Sequence, residues 1–348
     1  MIYRLAEGIS IEESSDGGSL VASRPLRMVR LNPSLLLLAL RMEKDWLTPA
    51  SDAEAKALET LAKRGFVERQ WPSLDSPADF PTVTVVIPVK DRADDLRNCL
   101  TSLKELEYPQ EKIEIVVVDD GSTDNTPLVA KELGAILVEF GVVAGGPALA
   151  RNKGAAVANG EILAFIDSDC TASKQWLTDL LPVFASTDVA AVGGWVDGMF
   201  TESALDRYEA VMSSLNVGCR EVSCGQGGDN FYLPSCNLLM RKEAFIAANG
   251  FRSELHVGED VDLTWRIRDA GWKIVYLPKG TVFHAHRSIL WPFMKRRFDY
   301  GTSEGLLQQL HPVRGKKMFI PPMLATILCL LVGALTFQSL LLLPAAFL

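Results

Sequence analysis

The chain has 348 residues, 48% of them hydrophobic, and 43 acidic residues against 35 basic give it a formal net charge of −8. That length supports a substantial core and more than one folded unit, while the acidic balance argues against a nucleic-acid binder, which needs a basic footprint. Its 6 cysteines form no Cys-x-x-Cys pair, which predicts reduced thiols and no structural zinc.

Residues 1–75 read as a small winged-helix-like domain. Ile9 and Ile11 alternate with polar residues, Asp16-Gly17-Gly18 makes a turn, Leu20 to Ala22 resumes an extended run, and Met28 to Leu31 forms a third strand. Asn32-Pro33 opens a helix, with Asn as cap and Pro in the first turn, where its missing N–H costs nothing. A second helix opens near Thr48-Pro49 or at Ser51, whose spacing to Glu54 is that of a capping box. It ends at Gly65, and Phe66-Val67 returns as a short strand. Pro72, Ser73, Ser76, Pro77 and Pro81 mark a linker, placed at 76–81.

Beyond the linker the pattern alternates strand and helix. Val83 to Ile87, Ile113 to Val118 and Ile162 to Ile166 are unbroken apolar runs, suited to strands buried on both faces. Helical spacing falls on Leu96, Leu100 and Leu103, and further helices are expected over 124–133 and 149–158. The expected fold class is α/β, a doubly wound mixed sheet that places ligands at the carboxyl ends of its strands.

Those ends are polar. Pro88-Val89-Lys90-Asp91, Asp119-Asp120-Gly121-Ser122 and Asp167-Ser168-Asp169 close the three runs. Two carboxylates in an Asp-x-Asp repel each other, and a hard divalent cation with oxygen ligands relieves that repulsion while bridging a diphosphate. Alone, the motif favours a solvated turn; three strand ends together reverse that preference and point to one ligand. A second acidic cluster, Gly258 to Asp262, leads a helix. Acidic residues there also serve as plain dipole partners, but a transfer to a hydroxyl needs a general base. His284 and His286 follow the strand-like Thr281-Val282-Phe283, where a histidine beside a carboxylate site makes a third ligand.

Between Arg287 and Lys317 stand seven basic residues and two acidic ones, and from Met318 to Leu348 there is no charged residue at all. Residues 301–317 read as a basic juxtamembrane segment and 318–348 as a transmembrane helix. The positive-inside rule then puts the catalytic body on the cytoplasmic face of the cell inner membrane. No apolar signal sequence opens the chain. Three roles fit the string Lys295 to Gly301: holding anionic head groups, covering a ligand site, or lying as a solvated basic face.

Five ordered strings, Val83–Arg92 (VTVVIPVKDR), Val116–Thr126 (VVVDDGSTDNT), Ala150–Glu161 (ARNKGAAVANGE), Ala164–Asp169 (AFIDSD) and Gly258–Leu263 (GEDVDL), resemble glycosyltransferase family 2, with its GT-A fold, over about 82–300. The resemblance implies an inverting transfer of a sugar, with UDP-glucose as the expected donor, assisted by a divalent cation, Mg2+ or Mn2+. It implies donor contacts at Pro88, Lys90, Asp120, Arg151 and Asp167, metal ligation by Asp169 and His284, and Asp260 as the base. Asn237, Glu259 and Trp265 are the acceptor-side candidates. Lys90 departs from the aromatic residue common at its place, and a Gln-x-x-Arg-Trp string typical of processive synthases is absent. Tyr3 to Gly8, Val29 to Asn32 and Leu58 to Val67 resemble, more loosely, the small PqqD-like peptide-binding chaperones. The combination is similar to glycosyltransferases of mycofactocin systems, implying a peptide-derived acceptor; a cell-envelope glycan or glycolipid is the alternative. A peptide carrier without activity and a nucleotidyltransferase are the competing classes. The intact aspartates oppose the first, and the lack of glycine in Pro88 to Arg92 opposes the second.

Overall fold

The computed structural model describes residues 1–314, except 24, 73, 75–79, 141–144, 226–228 and 287–288, and beyond 314 only residues 326, 329, 330 and 332. The N-terminal region is strand-rich: β1 (Ile2–Leu5), β2 (Ile9–Ser14), β3 (Gly17–Ser23), β4 (Leu26–Leu31), α1 (Pro33–Met42), α2 (Asp52–Lys63) and β5 (Val67–Gln70). β2, β3 and β4 form an antiparallel meander, and β1 pairs antiparallel with β5. The strand β1 has no counterpart in the sequence reading, because four residues are too few to show a period. Asn32 Oδ1 accepts the Leu35 N–H at 2.9 Å and Ser51 Oγ accepts the Glu54 N–H at 3.3 Å, so α2 starts at Ser51. Tyr3, Leu20, Leu31, Leu38, Leu58 and Phe66 build a core separate from that of the following sheet.

The next part opens with β6 (Val83–Val89), α3 (Ala93–Lys104), β7 (Ile113–Asp119), α4 (Thr126–Glu132), β8 (Ile136–Glu139), α5 (Gly146–Val157) and β9 (Ile162–Ile166). It continues with β10 (Cys170–Ala172), α6 (Trp176–Leu180), β11 (Val189–Gly193), β12 (Val196–Gly198), α7 (Ala204–Met212), β13 (Val222–Cys224), β14 (Asn237–Arg241) and α8 (Lys242–Ala247). α9 (Glu259–Asp269), β15 (Lys273–Tyr276), β16 (Val282–His284) and α10 (Leu290–Leu310) complete it. Eight strands form one mixed sheet in the order β13-β15-β11-β14-β9-β6-β7-β8. β6 is parallel to β7 and β9, and β14 is antiparallel to both of its neighbours.

The unbroken apolar runs are explained by cover on both faces. Leu96, Leu100 and Leu103 of α3 and Trp176 of α6 share one core with Val85 and Ile87. Ala148, Ala150 and Ala155 of α5 and Leu263 of α9 share the other with Val86, Val118 and Phe165. Small residues let α5 approach closely: a Cβ on Gly154 would lie 2.4 Å from Val86 Cγ1. A smaller sheet, β10-β16-β12, sits where the chain leaves β9, and its antiparallel register sets Cys170 opposite His284.

Residues from Gln308 onward, with Asp229 and Asn230, form a second small unit. Within it Arg314 Nη1 donates to the Asp229 carbonyl at 2.8 Å. The expected transmembrane helix and the inner-membrane location are corrected here. Among the described residues no helix is long and apolar enough to cross a membrane. The longest, α10, spans 21 residues but carries Lys295, Arg296, Arg297, Asp299 and Glu304, a charge load that a bilayer core does not accept. The uncharged run 318–348 lies mostly outside the described residues.

Candidate active site

The strand ends are tied into one rim by their own polar groups. Asp91, at φ +50°, accepts the Thr123 N–H at 2.7 Å, and its N–H donates to Ser122 Oγ at 2.8 Å. Asp119 accepts the Ser122 N–H at 3.1 Å. Asp120 accepts the N–H groups of Gly145 and Gly146 at 2.6 and 3.0 Å, anchoring the start of α5 to the end of β7. Pro88 is half-buried and Lys90 exposed on the same rim.

From α5, the buried Arg151 reaches across the floor of the site. Its Nη2 donates to Asp167 Oδ1 at 2.6 Å and its Nη1 to Glu259 Oε1 at 2.8 Å. The side chain is 3% exposed, so both carboxylates are needed to hold the charge there; leaving such a group unpaired costs about 3–5 kcal/mol. Burial pushes the Asp167 carboxyl up, but the charge and hydrogen bond of Arg151 outweigh it and hold the carboxyl below its usual range. One arginine thereby fixes the end of β9 relative to the start of α9.

Asp169 and His284 come together through the β10–β16 pairing. His284 Nε2 lies 3.7 Å from Asp169 Oδ1, and these two with Cys170 form the one group of potential metal ligands found among the described residues. The 3.7 Å gap is shorter than two metal–ligand bonds of about 2.1 Å, so a single cation reaches both atoms. The buried His284 Nδ1 has no hydrogen-bond partner among the described residues. Burial pushes the Cys170 thiol well up, keeping it neutral and a poor ligand for a hard ion. The donor set of one carboxylate and one imidazole therefore fits a divalent cation. Arg92, not singled out in the sequence, is at 3.3 Å from Asp169 Oδ2 and balances its charge.

Gly258, at φ +84°, turns the chain into α9 in a left-handed conformation that suits glycine. Asp260, two residues on, accepts the Ser235 N–H at 3.1 Å through Oδ2 and the Val261 N–H at 2.8 Å through Oδ1. Burial and the neighbouring Glu259 push its carboxyl up to about 7, against the opposing pull of the Ser235 N–H and Arg151. Asp262, by contrast, is fully buried between Arg252 at 3.0 Å and Arg266 at 2.7 Å and serves the fold.

The acceptor-side candidates each have a partner within the fold. Asn237 accepts from Trp176 Nε1 at 2.8 Å and donates to the Trp195 and Gly280 carbonyls at 2.9 and 3.0 Å. Trp265 is buried on α9 and donates to the Phe231 carbonyl at 3.1 Å. Glu259 is buried and held by Arg151. In their place α10 brings Phe293, Arg296 and Tyr300 to a cavity of about 70 Å³ lined also by Asp167, Asp169 and His284. Only the adjacency of basic and aromatic residues from Lys295 to Gly301 hinted at this in the sequence.

The fold is of GT-A type. The mannosyltransferase PcManGT from Pyrobaculum calidifontis, solved with GDP-Man and Mn2+, superposes with a TM-score of 0.54 at 21% identity, covering 80% of this chain and 76% of that one. The family model described as glycosyl transferase family 2 matches residues 84–247. The pre-mycofactocin glycosyltransferase of Mycobacterium tuberculosis is 33% identical over 320 residues, which are 89% of this chain and 65% of that protein, so this chain spans just under two thirds of that relative. Glycosyltransferase AglE of Haloferax volcanii is 30% identical over 267 residues, 74% of this chain and 82% of that protein. The chain belongs to glycosyltransferase family 2.

Proposed function

We propose that the chain transfers a hexose, glucose from UDP-glucose, to the hydroxyl of a peptide-derived acceptor of the mycofactocin type, with inversion at the anomeric carbon. The observation that supports this reading is the bridge of Arg151 between Asp167 and Glu259, which ties the strand end next to Asp169 to the helix start next to Asp260. Asp169 and His284 would hold the divalent cation, which when bound supplies positive charge to the leaving diphosphate. By the resemblance, Asp120, Pro88 and Lys90 would contact the nucleoside. Asp260 takes the proton of the attacking hydroxyl; a carboxyl near 7 is matched to that task at neutral pH. Attack opposite the leaving group inverts the anomeric carbon in one displacement.

The pre-mycofactocin name of the Mycobacterium tuberculosis relative supports the acceptor class. Residues 1–75 are proposed as a domain that recognises the peptide-derived part of the acceptor. Arg69, which pairs with Glu59 inside this region, also pairs with Glu221 beside β13 and so joins it to the sheet. The test is incubation of the full chain with UDP-glucose, Mn2+ and a mycofactocin-type acceptor. Metal-dependent UDP release with glucosylated acceptor is expected; UDP-glucose left intact at saturating metal and acceptor contradicts the reading.

A further inference from the structure

Arg296 and Arg297 are adjacent on α10 and line the same small cavity, but they differ in their partners. Arg297 Nη2 donates to Glu209 Oε1 of α7 at 2.6 Å and lies 3.3 Å from the Met212 carbonyl. Tyr208 packs edge-on against Phe293, so α7 holds α10 at more than one point. Arg296 makes no ion pair among the described residues. Its guanidinium lies 4.7 Å from the centre of the Tyr300 ring, and both side chains line the cavity that holds Asp167, Asp169 and His284. The carboxylates of Asp167 and Glu259 act on its charge, yet both are already bonded to Arg151.

A guanidinium aimed at a metal-ligand pair, with its fork of N–H groups not committed to a carboxylate, suits a phosphate oxygen, which it can bind bidentately. A solvated basic face would instead point away from the cavity. We propose that Arg296, seated by Tyr300 and by the Arg297–Glu209 clasp, binds the diphosphate of the donor; this rests on the nucleotide-sugar reading above. As the bond between the anomeric carbon and the β-phosphate oxygen breaks, its electron pair stays on that oxygen, which accepts a hydrogen bond from Arg296. The acceptor oxygen forms the new bond to the carbon, and its proton passes to Asp260. Preorganised donors of this kind stabilise charge where it develops.

Calorimetric titration of the full chain with UDP, GDP and UMP in the presence of Mn2+ tests this. Arg296→Ala should weaken UDP by about tenfold to a hundredfold, the worth of a charge-assisted hydrogen bond, and leave UMP, which lacks the β-phosphate, nearly unchanged. Arg296→Lys should recover part of the loss. Equal losses for UDP and UMP, or unchanged UDP affinity in Arg296→Ala at wild-type melting temperature, overturn the assignment. If the wild-type protein binds neither UDP nor GDP, the nucleotide-diphosphate reading fails and takes this one with it.

Discussion

Asp260 carries two measurable consequences. As a base it must be ionised, so kcat/KM should rise with pH and level off above about 7. Asp260→Asn should lower transfer by about two to four orders of magnitude with little change in donor affinity; parallel loss of both would point to misfolding or metal binding. The same carboxyl affects stability. Its folded value is raised to about 7 from an ordinary 3.8, so the native state holds the proton more tightly than the unfolded chain. Stability therefore falls as pH rises between those values, and melting of Asp260→Asn should exceed that of the wild type more at pH 8 than at pH 5. Asp169→Ala should abolish metal-dependent transfer and weaken binding of UDP with Mn2+, read by titration; normal turnover would remove Asp169 from the site. Residue types at strand ends were legible in the sequence, whereas their partners were not. Arg151 and Glu259 are 108 positions apart, and nothing local shows that one guanidinium joins them. Asn237 and Trp265 looked available because polar capacity is visible in a sequence and its consumption by the core is not.

At the scale of elements, apolar runs and caps located β6, β7, β9 and the helices around them to within a few residues. Short elements escaped: β10 and β12 have three residues each, and although Thr281 to Phe283 read as strand-like, only the pairing of β16 with β10 brings His284 beside Asp169. The position of α5 depends on close approach. Gly154→Ala should cost about 1–3 kcal/mol by overpacking against Val86, measured by denaturant unfolding, and it should reduce activity only insofar as Arg151 moves. An unchanged midpoint would mean that Val86 yields without strain. Asn32→Ala, which removes the α1 cap, should cost about 1 kcal/mol in the N-terminal region.

For the molecule as a whole, hydropathy suggested a membrane span where the described helices provide none. The uncharged run 318–348 on which that expectation rested lies mostly outside the described residues, and α10, the longest described helix, is too charged to be a span. The resemblance over 82–300, by contrast, rested on five spaced motifs, and spacing is what a fold preserves. The central claim is a single displacement with Asp260 as base and the donor diphosphate leaving from the opposite side. Proton NMR of the anomeric centre in the product formed from UDP-glucose tests it most directly. A β-linked glucoside, inverted from the α-linked donor, is predicted; an α-linked product would contradict it.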